Sequence, residues 1–237
     1  MPSDRERPRI EELDWRETPM GAISLRRRRE PVLDVDVFEA KLDDDFLMSS
    51  LFTVAEVELA RLGLAAATGD ELRVLVGGLG LGYTAVTALA DPRVGSLVVV
   101  EALPEVVGWH ERGLLPVSHS LVDDPRCRLV TADFFATVGS GVTGGTTYDA
   151  LLVDIDHSPR HVLHPSHAAF YTAAGLSRMR SSLSPGGVFA LWSDDPPDEA
   201  FTIVLASVLD GVRAHVVEFD NFLTGGTSAN TVYVGTG

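Results

Sequence analysis

Residues 72–86, LRVLVGGLGLGYTAV, run from an apolar stretch through four glycines in six positions into a second apolar pattern. That order predicts a buried strand, a tight turn and a helix. Glycine adopts positive φ freely and lets a backbone approach a bound group closely. The spacing is Gly78-x-Gly80-x-Gly82, with Gly77 before it. It is not the dinucleotide fingerprint G-x-G-x-x-G, because Tyr83 stands where the last glycine would fall. No Lys-Ser/Thr pair follows, so the turn is not a P-loop. A strand–helix turn with no ligand would use the same glycines, so the neighbouring segments must decide.

Those neighbours alternate regularly. LRVLV (72–76), SLVVVE (96–101), CRLVT (127–131), YDALLVDID (148–156) and GGVFALWS (186–193) read as strands. Helical patterns separate them over 82–90, 103–113, 166–183 and 196–209. RAHVVEF (213–219) and ANTVYVG (229–235) read as a closing antiparallel pair. Apolar strands alternating with helices predict an α/β fold: a Rossmann-like, seven-stranded, mainly parallel sheet with helices on both faces. Upstream, residues 50–67 carry helical spacing, with Ser49 or Ser50 as cap. Residues 22–42 read as a small β-ribbon broken at Glu30-Pro31, and 1–20 as a mobile arm. The expected division is arm and ribbon over 1–48 and a catalytic domain over 49–237. The run Arg26-Arg27-Arg28-Arg29 reads as a solvated edge strand, and GSGVTGGTT (139–147) as a surface connection.

Charge and cysteine usage narrow the function. The chain of 237 residues carries a net charge of −15. Its first thirty residues hold eight arginines and seven acids; the rest hold eleven basic and twenty-seven acidic residues. Such a surface repels nucleic-acid backbones and suits a cationic partner such as an amine. A single cysteine, Cys127, excludes an internal disulfide and a cysteine-based metal site. The N-terminus lacks an apolar signal core and the apolar runs are only strand-length. A cytoplasmic protein that neither spans a membrane nor binds nucleic acid is expected.

Strand ends of an open α/β sheet form its binding crevice. The glycine turn Gly77, Gly78, Leu79, Gly80 and Gly82 follows the first strand. Glu101, with Ala102 beside it, ends the second, where an acid accepts both ribose hydroxyls of a nucleoside. Asp133 and Phe134 follow the third, as an acceptor for the adenine amine and an apolar ring beside it. Helix capping by Glu101 and a plain turn at Asp133 are the competing readings. The joint spacing favours a nucleoside.

VGGLGLG, VVEALPEVV, DPRCRLVTADFF and YDALLVDID resemble the successive motifs of spermidine synthases and their relatives, within the class I S-adenosylmethionine-dependent methyltransferase fold. LDDDFLMSSLFT (42–53) is similar to the segment after that family's ribbon. The resemblance spans roughly residues 22–235. It implies a transferase moving an aminopropyl or methyl group from decarboxylated S-adenosylmethionine or S-adenosylmethionine to a small amine, in a homodimer. A small-molecule methyltransferase and a non-catalytic nucleoside-binding relative remain as alternatives. The chain departs from the family at the turn, where Leu79-Gly80-Leu81 replaces G-D-G. The lost aspartate normally helps hold the donor's amine end. Met48 and Ser49 replace a Tyr and a His near the acceptor. The catalytic stretch D-S-S-D-P is here Asp154-Ile155-Asp156-His157-Ser158-Pro159.

Alkyl transfer from a sulfonium is an in-line displacement, and an amine must be neutral to attack. Asp154, the acid the family retains, with Asp156 or His157, is placed to orient the acceptor and take its proton. On a continuous strand Asp154 and Asp156 would share a face. Trp192, Asp194 and Asp195, after the fifth strand, suit a cation through charge and an aromatic face. The competing reading makes Asp195 a helix cap, with Pro196 and Pro197 in the first turn. His157, His161, His164 and His167 have spacings that resemble a metal site, but no cysteine joins them and Pro159 and Pro165 interrupt any single helix, so no metal is expected and they read as a polar loop over the acceptor cleft.

Overall fold

The computed structural model describes residues 9–138 and 146–237. The connection expected over 139–147 therefore lies almost wholly outside the described residues, as does the start of the arm. Residues from position 10 onward are not an arm. Ile10–Thr18 (β1), Gly21–Glu30 (β2), Val35–Leu42 (β3) and Asp45–Ser49 (β4) form a four-stranded antiparallel sheet in the order β1-β2-β3-β4. β1 is held by pairing along β2 from Ile10↔Arg28 to Thr18↔Gly21.

The arginine run lies on β2, an interior strand rather than an edge. Alternation sends its side chains to both faces, where acids await them. Arg26 and Arg28 both donate to Glu39, at 2.6 and 2.7 Å. Arg27 donates to Glu11 at 2.6 Å, and Arg29 to Asp36 at 3.3 Å. The run is consumed within its own sheet.

The second sheet has seven strands: Leu72–Gly77 (β5), Val94–Glu101 (β6), Cys127–Thr131 (β7), Tyr148–Val153 (β8), Leu183–Ser193 (β9), Asp210–Asn221 (β10) and Gly226–Thr236 (β11). Their order is β10-β11-β9-β8-β5-β6-β7, with β5 to β9 parallel and the last two antiparallel. The α/β class read from sequence is the one observed. β8 ends at Val153, three residues earlier than its pattern suggested.

Helices Val54–Ala66 (α1), Tyr83–Ala90 (α2), Pro104–Glu111 (α3) and Ser118–Val122 (α4) bury one core face of the sheet. Phe134–Thr137 (α5), Ala173–Arg180 (α6) and Glu199–Ala206 (α7) serve the other. α1 packs closely because it carries glycine at the contact: a Cβ on Gly63 would stand 2.5 Å from the Leu152 side chain. Its cap position is Thr53, and neither Ser49 nor Ser50 caps it. Instead the Ser50 hydroxyl accepts from the Phe38 amide at 2.9 Å. α7 is capped by Asp198, whose carboxylate accepts from Ala200 and Phe201 amides, so Asp195 and both prolines precede the helix.

The two sheets share one core. Ile23, Leu25 and Ala40 are buried with Leu59 and Leu64 of α1. Asp14 of β1 accepts from Trp109 Nε1 at 2.9 Å and from Arg112 at 2.6 Å, which fastens the small sheet to α3.

Candidate active site

Chain order reverses between β5 and β8, which makes their carboxyl ends the crevice of this sheet. The turn after β5 is threaded tightly there. The Gly78 amide donates to Val100 O at 2.9 Å, and the Asp154 amide donates to Gly77 O at 2.8 Å. Gly78 has φ +90°, and a Cβ on it would lie 2.0 Å from the Asp154 carbonyl oxygen. Gly80 has φ +48° and faces Met48, whose sulfur a Cβ would meet at 2.9 Å. Gly77 and Gly82 serve packing: Cβ atoms there would strike Phe134 and His110 respectively.

Two cavities open on either side of this turn. The first, about 340 Å³, is lined by Gly78, Gly80, Glu101, Ala102, Asp133 and Phe134, among others. Glu101 ties the turn to β6. Its Oε2 accepts from the Leu79 amide at 3.0 Å and its Oε1 from the Leu103 amide at 2.9 Å. Burial pushes its carboxyl up, against backbone N–H groups that pull it down. The amides of Gly80 and Ala102 also face this carboxylate. Asp133 lines the cavity and also caps α5, accepting from Ala136 N at 3.2 Å. The turn and cavity readings of Asp133 therefore hold together. Phe134, Phe135 and Ile155 give this cavity apolar walls.

The second cavity, about 510 Å³, is lined by Glu56, Tyr83, His157, Trp192 and Asp194, with Phe46, Phe52 and Phe219 among its apolar walls. Leu47, Met48, Gly80, Asp154 and Ile155 line both cavities. The small sheet thus closes the junction from above through β4, and Asp154 stands beneath it. Among the described residues, no Lys or Arg lines either cavity. No three His, Cys, Asp or Glu side chains among them are grouped as metal ligands.

Asp154 and Asp156 part company because β8 has ended. Asp154 Oδ2 accepts from the Thr84 hydroxyl at 2.7 Å, and burial pushes its carboxyl up to about 6. Asp156 turns inward and is 1% exposed. Its carboxylate accepts from Tyr171 OH at 2.8 Å and Leu163 N at 2.7 Å, with His167 Nδ1 at 2.8 Å. It anchors the histidine loop and lines neither cavity. That loop divides: His157 lines the second cavity, His164 and His167 line the first, and His161 lies outward, 3.1 Å from Asp195. Asp195 faces that outer side. Asp194 lies in the second cavity, accepting from Asn230 at 2.7 Å.

Glu56 is absent from the sequence-based set. Burial, then the charge of Asp154, pushes its carboxyl up to about 8. An acid in a helix's first turn ordinarily complements the dipole. Here it stands four residues before Ala60 and seven before Gly63, on the stripe that α1 buries.

No protein-family model matches the chain. A polyamine aminopropyltransferase 2 of Pseudomonas aeruginosa is 30% identical over 166 residues, which is 65% of this chain and 45% of that protein. A polyamine aminopropyltransferase of Pyrobaculum calidifontis is 29% identical over 176 residues, 73% of this chain and 58% of that one. The crystal structure of spermidine synthase from Thermotoga maritima superimposes with a TM-score of 0.72, covering 95% of this chain and 72% of that one at 16% identity. The chain is similar to polyamine aminopropyltransferases and has the spermidine synthase fold. It spans only about half the length of these two curated relatives. The structural likeness speaks for the fold.

Proposed function

We propose that the chain transfers an aminopropyl group from decarboxylated S-adenosylmethionine to an amine. The nucleoside lies in the smaller cavity, with its ribose on Glu101 and its adenine between Asp133 and Phe134. The acceptor lies in the larger cavity. The observation that carries this reading is the junction: the two cavities meet at Asp154 and Gly80, with acids and, among the described residues, no Lys or Arg around them. S-adenosylmethionine ends in a carboxylate as well as an ammonium. The decarboxylated donor ends in an ammonium alone, and that is the end an acidic, lysine- and arginine-free junction favours. The curated relatives are named for the same transfer.

The amine nitrogen attacks the propyl carbon on sulfur, the C–S bond breaks with its electron pair passing to sulfur, and Asp154 takes the amine proton. Holding both partners across one junction supplies most of the acceleration. His157 and Trp192 help position the acceptor. In this reading β1–β4 lid the site, residues 49–237 carry the chemistry, and the assembly is a homodimer.

Asp154→Asn keeps shape and removes the base. Turnover, followed as methylthioadenosine release, should fall about 10²–10⁴-fold with donor affinity nearly unchanged. Wild-type turnover in this variant would remove Asp154 from the chemistry.

A further inference from the structure

The mechanism above leaves Glu56 unused, although it lies on the floor of the larger cavity within the field of Asp154. The two carboxylates come from separate elements, the first turn of α1 and the end of β8. Thr84 joins the elements, with its hydroxyl 2.7 Å from Asp154 Oδ2 and 3.3 Å from the Glu56 carbonyl. The hydroxyl donates its one hydrogen to Asp154 and meets Glu56 only at the main-chain carbonyl, so it offers nothing to the Glu56 carboxyl. The other titratable groups lining the cavity are Tyr83 at the start of α2, His157 after β8 and Asp194 after β9. No Lys or Arg among the described residues lines it to offset a second negative charge. Trp192 Nε1, in the same wall, is a buried donor without a partner. Two half-buried acids with no fixed counter-ion cannot both ionise cheaply.

We propose that Glu56 is the proton store of this site: with Asp154 it forms a two-carboxylate floor that holds one proton at rest and releases it when an ammonium group enters. The inference rests on the reading of this cavity as an amine site. The upward displacement of both carboxyls has the sense it requires.

The proton balance closes. An acceptor arrives as R–NH₃⁺, its charge stabilises the doubly ionised floor, and the Glu56 proton leaves to water. Asp154 then takes one proton from the ammonium, leaving a neutral amine. Attack forms the C–N bond and breaks the C–S bond, giving a substituted ammonium and a neutral thioether. The proton on Asp154 stays on the floor and is shared with Glu56, which restores the resting state. One proton is released per transfer, as the overall reaction demands.

The test is binding of n-butylammonium chloride, measured calorimetrically in buffers of different ionisation heat. At pH 7 the wild-type protein should release roughly one proton per site. Affinity should rise about tenfold per pH unit towards pH 8 and flatten above it. Glu56→Gln, which copies the shape of the protonated acid, should bind with no proton release and no pH dependence over that range. In the free wild-type protein, the ¹³C signal of the Glu56 carboxyl should titrate far above the ordinary carboxylate range. Binding without proton release, release that survives in Glu56→Gln, no binding of the probe, or an ordinary Glu56 titration would each overturn the proposal. Proton-linked binding in a protein that yields no transfer product would overturn the transfer reading alone.

Discussion

A carboxyl that stays protonated in the folded chain costs stability wherever the unfolded chain would ionise it. Glu56 titrates near 4.5 when free and at about 8 in the fold. Between those values the unfolded state binds fewer protons, so stability falls as pH rises from about 4.5 to about 8 and is flat above. Glu56→Gln removes that slope. The variant should match wild type near pH 4.5 and exceed it at pH 8 by roughly 1–3 kcal/mol, allowing for partial solvation. Urea unfolding at the two pH values checks this; equal stability at both would place Glu56 in ordinary solvent. The same residue shows where sequence reasoning stopped. Glu101, Asp133 and Asp154 were legible because each lies at or just past the end of a strand whose pattern was plain, and strand ends converge. Glu56 was hidden because an acid in a first turn has an ordinary explanation. Only its place on the buried stripe of α1 argues otherwise. Asp156 was read as a partner of Asp154 on the premise of continuing strand alternation, and the chain turns just before it.

At the scale of elements, the turn between β5 and α2 is built from glycines with different tasks. Gly78 passes against backbone, 2.0 Å from the Asp154 carbonyl oxygen to a Cβ, and backbone there cannot yield without parting β5 from β8. Gly80 passes against Met48 Sδ, the far part of a flexible side chain. Its carbonyl is held by His110 Nε2 at 2.9 Å. Burial pushes that imidazole down, which keeps it neutral and leaves Nε2–H to donate to the carbonyl. Gly78→Ala should therefore destabilise the fold severely, by about 3 kcal/mol or more. Gly80→Ala should cost about 1–2 kcal/mol for its left-handed backbone and leave a folded protein with weakened nucleoside binding. Thermal unfolding and methylthioadenosine calorimetry on both variants distinguish the roles; equal losses of stability would contradict them. The glycine pattern announced the turn from sequence. It did not announce which glycine meets backbone, because that depends on β8, seventy residues away in the chain.

Across the whole molecule, two sheets from successive stretches of the sequence act on one junction. The parallel sheet supplies the crevice, and β4 of the small sheet covers it with Leu47 and Met48. The ribbon was visible upstream as alternating residues, but the docking of β1 through Asp14 depends on Trp109 and Arg112 at α3, far along the chain. The acidic surface was legible from composition, and its consequence appears at the junction, where neither cavity is lined by a Lys or Arg among the described residues. That absence is the basis for the decarboxylated donor. The direct measurement is a product assay with two donors, S-adenosylmethionine and its decarboxylated form, each supplied with 1,4-diaminobutane. The account predicts methylthioadenosine and an aminopropylated amine from the decarboxylated donor, and no S-adenosylhomocysteine from the other. S-adenosylhomocysteine with a methylated amine, or no product from either donor across a panel of amines, would contradict it.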